Sequence, residues 1–126
     1  MAGTIQPKTL LPALLALSGT DEPIARALRL YEVAVQPWKD LYPIYEIIET
    51  GMGGEDALVS RGCSSRKQIS RFTRTAGHPK VAGDEARHGV STVDPPPNPM
   101  TTAEAWTFIG SLLSQWLEFK ESQYKP

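Results

Sequence analysis

TTAEAWTFIGSLLSQWLEF, residues 101–119, reads as an amphipathic α-helix that carries its own start signal. Thr101 followed three residues later by Glu104 is a capping box, in which each side chain satisfies the other residue's backbone N–H. Ala105, Ile109, Leu112, Leu113, Trp116 and Phe119 then recur at helical spacing and make a broad apolar face, widened by Trp106 and Leu117. Such a face must be covered. Its first reading is the core of the domain. Its second is a homodimer interface through this C-terminal helix.

Upstream stretches supply the covering partners. Ile24, Ala27, Leu28, Tyr31 and Val35 follow i, i+3, i+4, i+7, i+11, with Thr20 as the expected N-cap and Asp21 and Glu22 in the first turn. Leu41, Ile44, Tyr45 and Ile48 repeat the stripe, with Ile47 beside it. Asp40 is the expected cap there, which keeps Pro43 near the helix start. Gly51, Gly53 and Gly54 signal its stop. A short helix over 55–62 and one capped by Ser64 or Ser65 and reaching Ala76 come next. A further helix from Thr9 to Leu17 precedes them all.

No strand-type alternation competes with these periods. The fold expected is therefore all-α: a small bundle of four to five helices in a single domain. Residues 1–8 read as a flexible lead, 9–122 as the bundle, and 77–100 as an irregular Pro/Gly-rich connection. In that connection DPPPNP (94–99) is a rigid spacer of polyproline type.

Composition narrows the function classes. At 126 residues with 40% hydrophobic and 21% charged side chains, the chain builds one core without metals or disulfides. The single cysteine, Cys63, forms no internal disulfide. There is no apolar run long enough for a membrane helix, and the N-terminal patch Leu10–Leu17 lacks a strong basic flank and contains Pro12. No membrane contact and a cytoplasmic location are the expectations.

The net charge of −1 hides an uneven distribution. Residues 1–60 carry four basic and eight acidic side chains, residues 61–91 seven and two, and residues 92–126 two and four. On the helix SSRKQISRFTRTA, Lys67, Arg71 and Arg74 fall within about 60° of one another, while Ile69, Phe72 and Ala76 face the other way. Both histidines follow, His78 and His88, with Arg87 next to the second. Three readings compete: a solvated face paired with acidic neighbours, an anion- or nucleic-acid-binding stripe, and catalysis. Metal-independent RNA cleavage needs a near-neutral base for the 2′-hydroxyl proton and a cation against the developing phosphorane charge. Arg71-(x6)-His78 and Arg87-His88 each supply both residue types.

Other chemistries lack their patterns. GMGG (51–54) is not a phosphate loop, since the Gly-Lys-Ser/Thr ending is missing. His78, His88, Cys63, Asp84 and Glu85 are metal-capable, but no CxxC or HxxxH spacing joins them, so neither a metal nor a cofactor is expected. No GxSxG elbow occurs, and nothing local supports Cys63 as a nucleophile.

ISRFTRTAGHPKVAGDEARHG (69–89), PPPNPMTTAEAWTFIGSLLSQWLEFK (95–120) and LYPIYEIIETGMGG (41–54) together carry a resemblance. They resemble a group of uncharacterised bacterial and phage helical domains with the pattern Phe-x-x-Thr-Ala-Asn, Gly-x-x-Ala-Arg-His, Pro-Met, Glu-Ala, Trp. Gly77 stands where that pattern has Asn, and Pro43 interrupts the tyrosine-rich helix. The group is similar, at greater distance, to HEPN-type domains: helical bundles with an Arg-x(4–6)-His motif, often dimeric, many of which cleave RNA. Arg71-(x6)-His78 fits that formula, with Phe72 in place of the usual polar residue after the arginine. The resemblance implies Arg87 and His88 as the catalytic pair ahead of His78. Lys67, Arg71, Arg74 and His78 are then the expected anion- or nucleic-acid-binding residues. RNA or a protein is the expected partner.

Overall fold

A computed structural model describes Gly19, residues 21–91 and residues 93–124. The expected lead over 1–8, the expected helix Thr9–Leu17 and the capping role given to Thr20 lie outside the described residues. Among those described there are six α-helices and no strand: α1 (Glu22–Val33), α2 (Pro37–Met52), α3 (Glu55–Ser60), α4 (Arg66–Gly77), α5 (Pro79–Ala82) and α6 (Thr102–Tyr124). A 3-10 turn, Gly83–Glu85, follows α5. The all-α expectation holds. The count exceeds four to five because the connection over 77–100 is less irregular than its composition suggests. His78 and Pro79 start α5 as N-cap and first helical residue, and the His78 side chain accepts from the Lys80 N–H.

α2 is the hub, packed against α6 most extensively and also against α1, α4 and α3. The buried stripes are those the periodicity selects: Ile24 and Ala27; Leu41, Ile44, Tyr45 and Ile48; Ile69, Phe72 and Ala76; Ala105, Ile109, Leu112, Leu113, Trp116 and Leu117. Trp38 joins the core unannounced. Val35 does not, because α1 ends at Val33 and leaves it 78% exposed. Most of the apolar face of α6 is buried within the chain; Phe119 and Trp106 are partly buried, and Trp106 meets the edge of Tyr31.

The caps differ from expectation in two places. Asp21 itself caps α1 by accepting from the Ile24 N–H. α2 begins at Pro37, not Asp40. The Asp40 carboxylate reaches back to the Val35 and Gln36 N–H groups, at 2.9 and 2.8 Å, and this holds its pKa below the usual carboxylate range. Pro43 therefore lies inside the helix, where it removes one backbone donor without ending it. Gly51 also lies inside α2 and does not stop it. A Cβ there would stand 2.6 Å from the Trp116 indole, so the missing side chain lets α6 approach. The stop is made by Gly53 and Gly54, both at positive φ, whose N–H groups close on the Thr50 and Glu49 carbonyls.

α6 starts as its sequence directs. The Glu104 N–H donates to Thr101 Oγ1 at 3.1 Å, and the Thr101 N–H donates to Glu104 Oε1 at 2.9 Å. No helix among the described residues is long and apolar enough to cross a membrane.

Candidate functional site

The segment bearing Arg87 and His88 is fixed from both sides. Glu85 Oε1 accepts from the Trp38 N–H at 3.0 Å, at the positive end of α2, where the first-turn donors have no helical partner. Two residues later the Arg87 N–H donates to the Ala76 carbonyl at 2.9 Å, and the His88 N–H to the Gly77 carbonyl at 3.3 Å. Those carbonyls belong to the end of α4, which stops because the residue before Pro79 is pushed to extended backbone. The loop after the 3-10 turn is in this way laced between the start of α2 and the end of α4.

This lacing brings Arg87 and His88 to the α4 surface. The Arg87 guanidinium lies over the Tyr42 ring, 4.8 Å from its centroid. Its Nη2 is 3.9 Å from Glu46 Oε2, a loose and exposed ion pair. Its Nη1 stands 3.5 Å from His88 Nε2, at the outer limit of a hydrogen bond. Burial pushes the Tyr42 phenol above its usual pKa, with the Arg87 charge opposing. The His88 imidazole is exposed and lies along Gly77, whose absent Cβ would sit 3.1 Å from His88 Cδ2.

His88 and Arg74 line a common groove of about 300 Å³, together with Tyr42, Thr73, Gly77 and Asp94. Arg74 is exposed and has no ion-pair or hydrogen-bond partner for its guanidinium among the described residues. Lys67, seven residues earlier on the same face, is likewise exposed. It borders a second groove of about 160 Å³ with Arg74, Pro96 and Pro97. The structure therefore unites Arg74 with His88, sets Arg87 beside them, and adds Lys67 along the helix.

Two of the residues expected to bind, Arg71 and His78, line these grooves but are held by bonds within the fold. Arg71 is a staple. Its guanidinium holds Glu104 with both Nη atoms, at 3.1 and 2.9 Å, and donates to the Asn98 carbonyl at 2.7 Å and the Pro99 carbonyl at 3.1 Å. The side chain lines the second groove but is only 16% exposed, and four of its five N–H donors are taken, so no fork remains for an external anion. Glu104, hydrogen-bonded by Arg71 and by the Thr101 N–H, has its pKa held down at about 2. His78 lines the first groove but is only 5% exposed and has both ring nitrogens engaged: Nε2 meets the Val93 carbonyl at 2.9 Å while Nδ1 accepts from the Lys80 N–H. That pairing selects the neutral tautomer with the proton on Nε2. The Arg71-(x6)-His78 formula is thus met in sequence by two side chains turned to structural work.

Arg66 is paired as well, with Glu55 at 3.1 Å and with Asp56. The charge-matched reading holds for Arg66 and Arg71 and fails for Arg74. The polyproline-type segment is tied down by the same staple, with Pro96 buried, so it is a wall of the bundle. Burial pushes the Cys63 thiol pKa up, the wrong direction for a nucleophile. No group of three or more His, Cys, Asp or Glu among the described residues could hold a metal ion.

Tyr42, Thr73 and Asp94 are the groove residues the sequence did not mark. Tyr42 lies on the polar flank of the α2 stripe, and Asp94 arrives only through the course of the connection. No known protein family, curated protein or solved structure matches this chain.

Proposed function

We propose that this domain is an RNA-binding module whose phosphate-binding groove is lined by Arg74 and His88, with Arg87 beside His88. Arg74 carries the reading. It is the arginine of α4 left without a carboxylate among the described residues, while Arg66 and Arg71 on the same helix are both paired. An exposed guanidinium beside an imidazole in a groove suits a phosphate ester, which accepts a planar fork of donors. The resemblance to basic-histidine helical domains supports the same ligand class. The test is anisotropy of a labelled single-stranded RNA at low and raised salt. Affinity is expected to fall with salt and to weaken on Arg74→Ala and on Arg87→Ala. Absence of binding at low salt, or binding indifferent to both substitutions, refutes the reading.

A second reading, metal-independent RNA cleavage, draws on the proximity of Arg87 Nη1 to His88 Nε2. His88 would take the 2′-hydroxyl proton as that oxygen attacks phosphorus, and the bond to the 5′-oxygen breaks as that oxygen takes a proton from solvent to leave as a hydroxyl. Arg87 and Arg74 would stabilise the charge on the phosphorane. Cleavage that resists EDTA and is lost in His88→Ala is expected; cleavage that survives this substitution excludes His88 as the base.

A further inference from the structure

The two grooves beside α4 share a wall, and that wall is Arg74. On one side it faces His88 and Tyr42; on the other it faces Lys67, Pro96 and Pro97. Lys67 and Arg74 are seven residues apart, two helical turns, so both project from one face about 10.5 Å apart along the axis. That span exceeds the ~3.4 Å axial step between neighbouring phosphates of one strand, so the two cations meet different phosphates. The second groove, about 160 Å³, accommodates a backbone phosphate and its sugar edge better than a stacked base pair. Its far wall does not yield readily, because Arg71 holds the Asn98 and Pro99 carbonyls and Pro96 is buried.

We infer that the domain takes single-stranded RNA along α4, one backbone phosphate at Arg74 and His88 and another, further along the strand, at Lys67. This rests on the reading of the Arg74 groove as a phosphate site and adds a strand type, a track and a minimum length. A duplex presents paired bases and a rigid backbone that two narrow clefts separated by one side chain do not admit. An unpaired strand can bend over Arg74 and lower successive phosphates on either side. The exposed His88 ring offers a flat face on which a splayed base can stack.

The experiment compares a labelled uridine dinucleotide, a labelled octauridylate and a labelled eight-base-pair RNA duplex by anisotropy. Lys67→Ala is expected to weaken octauridylate binding about three- to tenfold, to lower its salt slope by about 0.7, and to leave the dinucleotide unchanged. Arg74→Ala weakens both. Lys67 is exposed and makes no bond within the described chain, so its removal leaves the fold intact, as an unchanged melting temperature will record. If Lys67→Ala has no effect at either length, or the duplex binds as tightly as octauridylate, the track is overturned while the Arg74 groove stands. If no probe binds the wild type, the groove reading falls and the track with it.

Discussion

Arg71→Ala and Arg74→Ala should separate folding from binding on one helix face. Arg71 donates to two backbone carbonyls, Asn98 and Pro99, and clasps Glu104 at the start of α6. Its side chain is 16% exposed, so water replaces little of what truncation removes. Hydrogen bonds to charged groups contribute roughly 1.5–3 kcal/mol each when well formed. Discounted for partial exposure, the two carbonyl bonds alone give a loss of about 2–3 kcal/mol for Arg71→Ala. At about 4 °C per kcal/mol for a domain of this size, the melting temperature should drop by roughly 8–12 °C. Arg74 touches no partner among the described residues, and Arg74→Ala should stay within about 0.5 kcal/mol of wild type. Affinity for a dinucleotide, which needs only the groove at Arg74 and His88, should run the other way, falling for Arg74→Ala and holding for Arg71→Ala measured well below its melting point. Calorimetry and anisotropy on the same three proteins decide it. A melting temperature for Arg71→Ala within about 2 °C of wild type would refute the staple. Equal destabilisation by both substitutions would refute the distinction between them.

Glu104 adds a pH dependence with a definite sign. Its folded pKa is held at about 2, below the ~4.3 of an unfolded glutamate, so the contribution is complete above about pH 5 and is lost as pH falls toward 2. Acid titration of thermal stability should show a component in that window that vanishes in Glu104→Gln, and identical acid profiles for the two proteins would count against the clasp. Gly77→Ala tests the seat of His88. Gly77 is helical, so alanine suits the backbone and favours the helix by about 0.5–1 kcal/mol, but its Cβ would meet the His88 ring at 3.1 Å. Stability should hold or rise while the His88 imidazole resonances move and RNA affinity falls; unmoved resonances in the NMR spectrum would show that Gly77 does not position the ring.

The helices were legible because their signals are local. The capping box at Thr101 and Glu104 forms as read, and the stripe from Leu41 to Ile48 buries as read. Where the reading slipped, the deciding contact came from far along the chain or from an adjacent cap. Glu85 at the start of α2 is 47 residues from the Trp38 N–H it serves, and no periodicity announces it. The His78 side chain turned an apparent loop into a helical start by accepting from Lys80, and then vanished into a contact with Val93.

The basic face carries the harder lesson. A helical wheel gives Lys67, Arg71 and Arg74 nearly the same direction, and so the same solvent. They part only when the segment over 94–100 crosses the helix and lands on the middle one. Arg71 then gives its donors to the fold, and in doing so it shapes the groove it lines. By binding the Asn98 and Pro99 carbonyls it holds the proline wall against α4 and leaves a groove with Lys67 and Arg74 along it. Arg74 escapes because its side of the helix faces the laced loop at Arg87 and His88, and Asp94, which lines the same groove, makes no ion pair with it. The same charge therefore stabilises the fold at one position and, one turn later, stays unpaired among the described residues.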